Sequence, residues 1–207
     1  MDTTTLLAGH RLLDHPFYRR WEEGLLEAGE LAAYAAQYRH FEAQLPSFLA
    51  ELAGALPEGS ARALIEANLA DELDGPETHL ALFERFAEAV EAPVESASPA
   101  MAELVSLYAD AADGGDPDYA LGVLAGYEVQ ASEVAVTKGA GLAQHYGVEA
   151  QGLEFWALHG EVEVDHARWT LEAASLADAE RFSAGAEASA RAWWSFLDER
   201  EALVAAR

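Results

Sequence analysis

Glu72, His79, Glu128, His159, Glu163 and His166 combine three carboxylates with three histidines. Nitrogen and oxygen donors in this mixture suit redox-active iron held with positions open for a further ligand. In His159-Gly160-Glu161-Val162-Glu163-Val164-Asp165-His166, spacing selects the donors. At about 100° per residue, positions 159, 163 and 166 lie within roughly 60° on one helix face, and Asp165 points elsewhere. Six donors exceed the needs of one iron with open positions and match two. Three carboxylates, one of them able to bridge, would largely neutralise two ferrous ions and leave room for oxygen. Zinc hydrolysis would need fewer ligands.

The other donors sit on separate segments. Glu128 lies in the apolar stretch Leu124-Ala125-Gly126-Tyr127-Glu128-Val129, where an unpaired carboxylate would cost several kcal/mol or become neutral. Glu72 and His79 are separated by Gly75-Pro76, so they are expected to meet where a helix end approaches the next helix start, not as two turns of one helix. Lys138 is the single lysine beside eleven arginines, and it follows Val134, Ala135 and Val136 on a helix that reads as buried. Arginine would serve a surface ion pair, whereas a desolvated lysine can lose its proton and act as a nucleophile or nitrogen donor. Tyr18 stands in a Phe-Tyr-x-x-Trp cluster and by composition reads as a core aromatic with a bonded hydroxyl.

These side chains require helices to position them. Helical periodicity dominates the 207 residues, no strand-length alternation stands out, and one domain over residues 1–207 is expected. The spacing predicts helices over about His15–Ala28 and Glu30–Ala55, the second kinked at Pro46. Further helices are predicted from a Ser60 cap to Leu73, from Pro76 to Val90, over Ala100–Ala112, from Pro117 to Tyr146, over Glu149–Ala177 and over Asp178–Val204. The expected fold class is therefore all-α, a compact seven- to eight-helix bundle. Cysteine is absent, which excludes disulfides, thiolate metal sites and cysteine nucleophiles. A formal charge of −25 opposes nucleic acid and anionic membrane as partners. No segment reads as a membrane span or a signal peptide, so a cytoplasmic protein is expected.

The motifs His15-Pro16-Phe17-Tyr18-x-x-Trp21, Asp71-Glu72-x6-His79, Tyr127-Glu128-x-Gln130, Lys138-x-x-Gly141-Leu142, Tyr146-Gly147 and His159-x3-Glu163-x2-His166 resemble the haem-oxygenase-like di-iron oxidases. They are most similar to the branch of the chlamydial protein associating with death domains, within the pyrroloquinoline-quinone synthase and thiaminase II superfamily. The resemblance implies a haem-oxygenase-like bundle, often a homodimer. It assigns the metal-ligand role to Glu72, His79, Glu128, His159, Glu163 and His166, holding two iron ions, with manganese an alternative occupant of one position. Molecular oxygen and an external, unidentified reductant complete the implied chemistry. It further implies a self-sacrificing 4-aminobenzoate synthase of folate biosynthesis, with Tyr18 as the tyrosine consumed, Lys138 as amino donor and Tyr127 as a nearby redox-active phenol. Two positions depart from the branch: Glu163 replaces an aspartate, and Phe155 replaces a tyrosine. The alternatives are a di-iron oxidase of an external amino acid or fatty acid, and a non-catalytic interaction or binding protein on the same fold.

Overall fold

A computed structural model describes residues 6, 7, 9–74 and 76–205. Eight α-helices occur among them: α1 (Pro16–Glu22), α2 (Ala28–Ala55), α3 (Ser60–Leu73), α4 (His79–Ala89), α5 (Pro99–Asp113), α6 (Pro117–His145), α7 (Ala150–Ala173) and α8 (Ala179–Ala205). No strand is present among the described residues. Short 3-10 turns at Leu12–Asp14 and Ala174–Leu176 precede α1 and follow α7.

Local chemistry moves several predicted boundaries. The first helix stops at Glu22, not Ala28, because Gly24 takes φ 72°, a left-handed conformation that glycine adopts without steric penalty. Gly59, with φ 153°, occupies the cap position before α3 that was expected of Ser60. Pro76 lies ahead of α4 and not in its first turn; Thr78 caps that helix by accepting from the Ala81 amide at 3.2 Å. Gly75, the other half of the predicted break, lies outside the described residues. The helix predicted to run to Ala177 ends at Ala173, where the chain tightens into a 3-10 turn. Asp178 then accepts the Glu180 and Arg181 amides at 3.1 and 3.0 Å, which satisfies donors at the start of α8. Helix α2 continues through Pro46.

Helix α6 is the central element, packed along α7 on one side and α8 on the other. A Cβ at Gly122 would fall 2.0 Å from the Phe182 carbonyl oxygen, and one at Gly185 would fall 2.1 Å from that of Tyr119. Glycine at these positions lets the α6 and α8 backbones approach closely enough to carry Tyr127 onto Trp193, with ring centroids 4.5 Å apart and planes 21° from parallel. The short helix α1 is fixed from both ends. His15 Nδ1 accepts the Phe17 amide at 3.1 Å, while its Nε2 contacts Asp198 of α8, also at 3.1 Å. Arg20 donates to Glu30 of α2 at 2.6 Å and to Glu201 of α8 at 2.9 Å. These contacts hold Tyr18 in the aromatic core.

Candidate metal centre

The six donors come from four helices: Glu72 from the last turn of α3, His79 from the first residue of α4, Glu128 from α6, and His159, Glu163 and His166 from α7. All six are buried, none more than 5% exposed. Glu72, His79 and His159 offer ligand atoms within 4.8 Å of one another. His79 Nδ1 lies 3.0 Å from Glu72 Oε2, an ion-pair distance, without hydrogen-bond geometry. The His79 ring is 4.6 Å from that of His159 and 6.4 Å from that of His166. Glu128, Glu163 and His166 gather beside this trio in a looser arrangement, with His166 Nδ1 3.7 Å from Glu163 Oε2.

Outer partners orient the histidines. His159 Nδ1–H donates to the Phe155 carbonyl at 2.8 Å, which leaves Nε2 as its ligand atom. His166 Nε2 bonds Asp71 Oδ2 at 3.3 Å, turning Nδ1 toward Glu163. Such contacts fix tautomer and ring orientation at metal sites. Glu128 is held by Asn68, whose amide donates at 2.6 Å, and by the Thr170 hydroxyl. Phe155 also packs against His159 with ring centroids 3.9 Å apart.

The electrostatics describe a site built for positive charge. Burial pushes the Glu128 pKa up to about 7, with Glu163 adding to the rise. Burial likewise pushes Glu72 upward, but His79, His159 and His166 outweigh it and hold the carboxyl below its usual range. Burial lowers His159. In His166 burial is overcome by Glu163, Glu128 and Glu72, and the pKa rises to about 10. Glu163 Oε2 and His79 Nδ1 are buried and accept or donate no hydrogen bond among the described residues. Three imidazoles and three carboxylates with such unsatisfied atoms fit iron. A cavity of about 430 Å³ reaches His79, lined by Asp71, Asp74, Glu77 and Glu154 with Leu158 and Val162. Arg85 pairs with both Glu77 and Glu154.

Tyr18, Tyr127 and Lys138 are also buried, and Lys138 is fully so. Lys138 Nζ donates to the Tyr34 hydroxyl at 2.5 Å, and the Tyr34 and Tyr18 hydroxyls are 2.7 Å apart. The amine lies 4.5 to 5.8 Å from the ring centroids of Trp156, Tyr18, Tyr34, Tyr38 and Trp21. Burial lowers the Lys138 pKa well below the ordinary lysine value, opposed by the charge of Glu42. Tyr127 bonds the Tyr38 hydroxyl and not Tyr18.

Sequence reasoning missed Tyr34, Tyr38, Glu42, Asn68 and Thr170. Glu42, 3% exposed with an Oε2 that accepts no hydrogen bond among the described residues, follows Tyr38 by one helical turn within the stripe Tyr34, Tyr38, Phe41, Leu45. That spacing was its signal. Thr170 follows His166 by four residues and Asn68 precedes Glu72 by four, the same one-turn relation.

Residues 32–198 match the family described as iron-containing redox enzyme. A 4-aminobenzoate synthase of Chlamydia pneumoniae is 33% identical, with 75% of this chain and 72% of that protein covered. One of Nitrosomonas europaea is 32% identical, covering 94% and 87%. Among solved structures, a TenA homolog from Pseudomonas syringae superposes with a TM-score of 0.80 at 14% identity, covering 95% of this chain and 88% of that one. A domain of unknown function with a heme oxygenase-like fold, from Shewanella denitrificans, gives 0.79 at 14% identity, covering 99% and 94%. The fold is thus the haem-oxygenase-like bundle, and the chain belongs to the family of iron-containing redox enzymes.

Proposed function

We propose that the protein is an iron- and oxygen-dependent 4-aminobenzoate synthase that consumes its own Tyr18 and Lys138. One observation carries this reading: the Tyr18 hydroxyl and the Lys138 amine converge on the same Tyr34 hydroxyl in a chain whose relatives of Chlamydia and Nitrosomonas are named 4-aminobenzoate synthase. Glu72, His79 and His159 would hold one iron, and Glu128, Glu163 and His166 the second. Bound iron supplies the one-electron and oxygen chemistry, with an external reductant. The protein's residues do the rest. Burial favours the neutral amine of Lys138, so its lone pair is free for bonding to carbon. The surrounding rings exclude water from the phenol and the amine. Tyr18 supplies the aromatic ring and Lys138 the nitrogen, so each chain acts once.

The test is to load ferrous iron anaerobically, admit oxygen with ascorbate, and assay 4-aminobenzoate together with the masses of the peptides bearing Tyr18 and Lys138. About two irons per chain, at most one product per chain and altered masses at both residues are expected. Tyr18→Phe protein should bind iron and give no product; product from that variant would sink the self-sacrifice reading.

A further inference from the structure

All six donors are buried, none more than 5% exposed, so an ion from solution needs a way in. The cavity of about 430 Å³ brings solvent to the centre, because His79 forms part of its wall. That side chain is 4% exposed, and its Nδ1 has no hydrogen-bond partner among the described residues. Asp71 lies on the same wall and bonds Nε2 of the buried His166 at 3.3 Å. The cavity thus touches one donor trio directly and the other through Asp71. Its remaining carboxylates, Asp74, Glu77 and Glu154, are exposed to solvent, whereas Asp71 is half-buried and His79 buried. The wall therefore grades from exposed carboxylates to a buried imidazole. Arg85 pairs with Glu77 and Glu154; four carboxylates against one guanidinium leave a formal excess of three negative charges.

We propose that this cavity is the port through which ferrous ions enter: Asp74, Glu77 and Glu154 capture the hydrated ion, and Asp71 and His79 receive it at the buried end. The inference rests on the two-iron centre proposed above and is independent of what becomes of Tyr18 and Lys138.

A concave, low-dielectric wall of one sign focuses its field and raises the local concentration of the opposite charge. That distinguishes the cavity from the acidic surface at large, which attracts cations without leading them to a donor. At about 30 Å³ per water, a six-water shell needs roughly 180 Å³, so a hydrated divalent ion fits. Carboxylate oxygens along the wall replace those waters one at a time, and the ion is not stripped in a single costly step. Anionic reductants such as ascorbate carry the wrong charge for this route.

The experiment follows uptake itself. Apo-protein is mixed anaerobically with ferrous ion and quenched at intervals with a chromogenic chelator, which gives the rate of capture and, at equilibrium, the iron held per chain. The proteins compared are wild type, Asp74→Asn/Glu154→Gln, Arg85→Met, and a control, Glu22→Gln/Glu103→Gln, which removes two exposed carboxylates from helices that do not line the cavity. Melting temperatures are measured first. At low salt Asp74→Asn/Glu154→Gln should take up iron at least about fivefold more slowly than wild type and the control, and Arg85→Met at least about twofold faster. In about 1 M salt, where the screening length is about 3 Å, these differences should shrink. All four proteins should finish at the same iron content. Equal slowing in the control would assign the effect to net charge and overturn the port. Unchanged uptake in Asp74→Asn/Glu154→Gln, or slower uptake in a folded Arg85→Met protein, also overturns it. A lower final iron content in Asp74→Asn/Glu154→Gln would make those carboxylates holders of iron and not a route to it. If wild type itself fails to hold about two irons, the proposed centre falls and the port with it, a result separate from any difference in rate.

Discussion

Lys138 shows how far a single residue can be taken from sequence alone. Its rarity among arginines and its apolar neighbours indicated burial and an amine able to lose its proton, and it is fully buried. Its partner was not legible: the bond runs to Tyr34, on a helix more than a hundred residues earlier, and only the packing of α2 on α6 brings them together. The burial has a pH signature. The folded pKa lies well below 10.5, the value expected for the unfolded chain, so above 10.5 both states carry a neutral amine. As pH falls below that value the unfolded chain takes up the proton first, and stability is lost until the folded pKa is reached, at about 1.4 kcal/mol for each unit between the two values. Lys138→Met should therefore be more stable than wild type toward urea at pH 7, and the gap should narrow as pH rises toward 10.5. A gap of constant size between pH 7 and 10 would mean that the folded protein holds an ammonium. The grouping of the candidate donors was legible for a related reason. One-turn spacing on α7 is a local property, whereas Asn68 and Thr170, which hold Glu128, carry ordinary side chains whose role emerges only in the packed bundle.

Helix order could be read along the chain because turn residues and apolar periodicity are local signals. The ends could not, because they depend on which residue takes an unusual backbone angle or offers a capping oxygen. Gly24, Gly59 and Thr78 decided three of them. The α6–α8 contact gives the clearest test at this scale. Gly122→Ala places a methyl group where the Phe182 carbonyl stands, and such overpacking costs about 1–3 kcal/mol or more. Gly54→Ala, in the last turn of α2 with nothing within 4 Å of the added Cβ, should instead stabilise by at most about 0.5–1 kcal/mol, the gain of a fully helical position. Urea unfolding of both variants measures the contrast; equal shifts would show that the α6–α8 approach tolerates a side chain. Moving α8 also displaces Trp193 from Tyr127, so Gly122→Ala should disturb the phenol network while leaving the α7 donors on their own helix.

Across the whole molecule, charge and composition defined exclusions more than function. The −25 formal charge argued against polyanionic partners, and no described helix is long and apolar enough to cross a membrane. Neither fact pointed to iron, for which the candidate donors are a few buried residues in an acidic chain. The single buried lysine has a practical consequence for the protein as a population of molecules. Amine-reactive esters should leave Lys138 unmodified in the native protein and label it only after denaturation, so the label reports global opening at one position. After reaction with iron and oxygen, a chain that has given up its lysine nitrogen can no longer take the label when unfolded. The unlabelled fraction of peptide 138 should then equal the yield of 4-aminobenzoate, mole for mole, measured on the same sample by mass spectrometry. A yield exceeding that fraction would identify a nitrogen source other than Lys138.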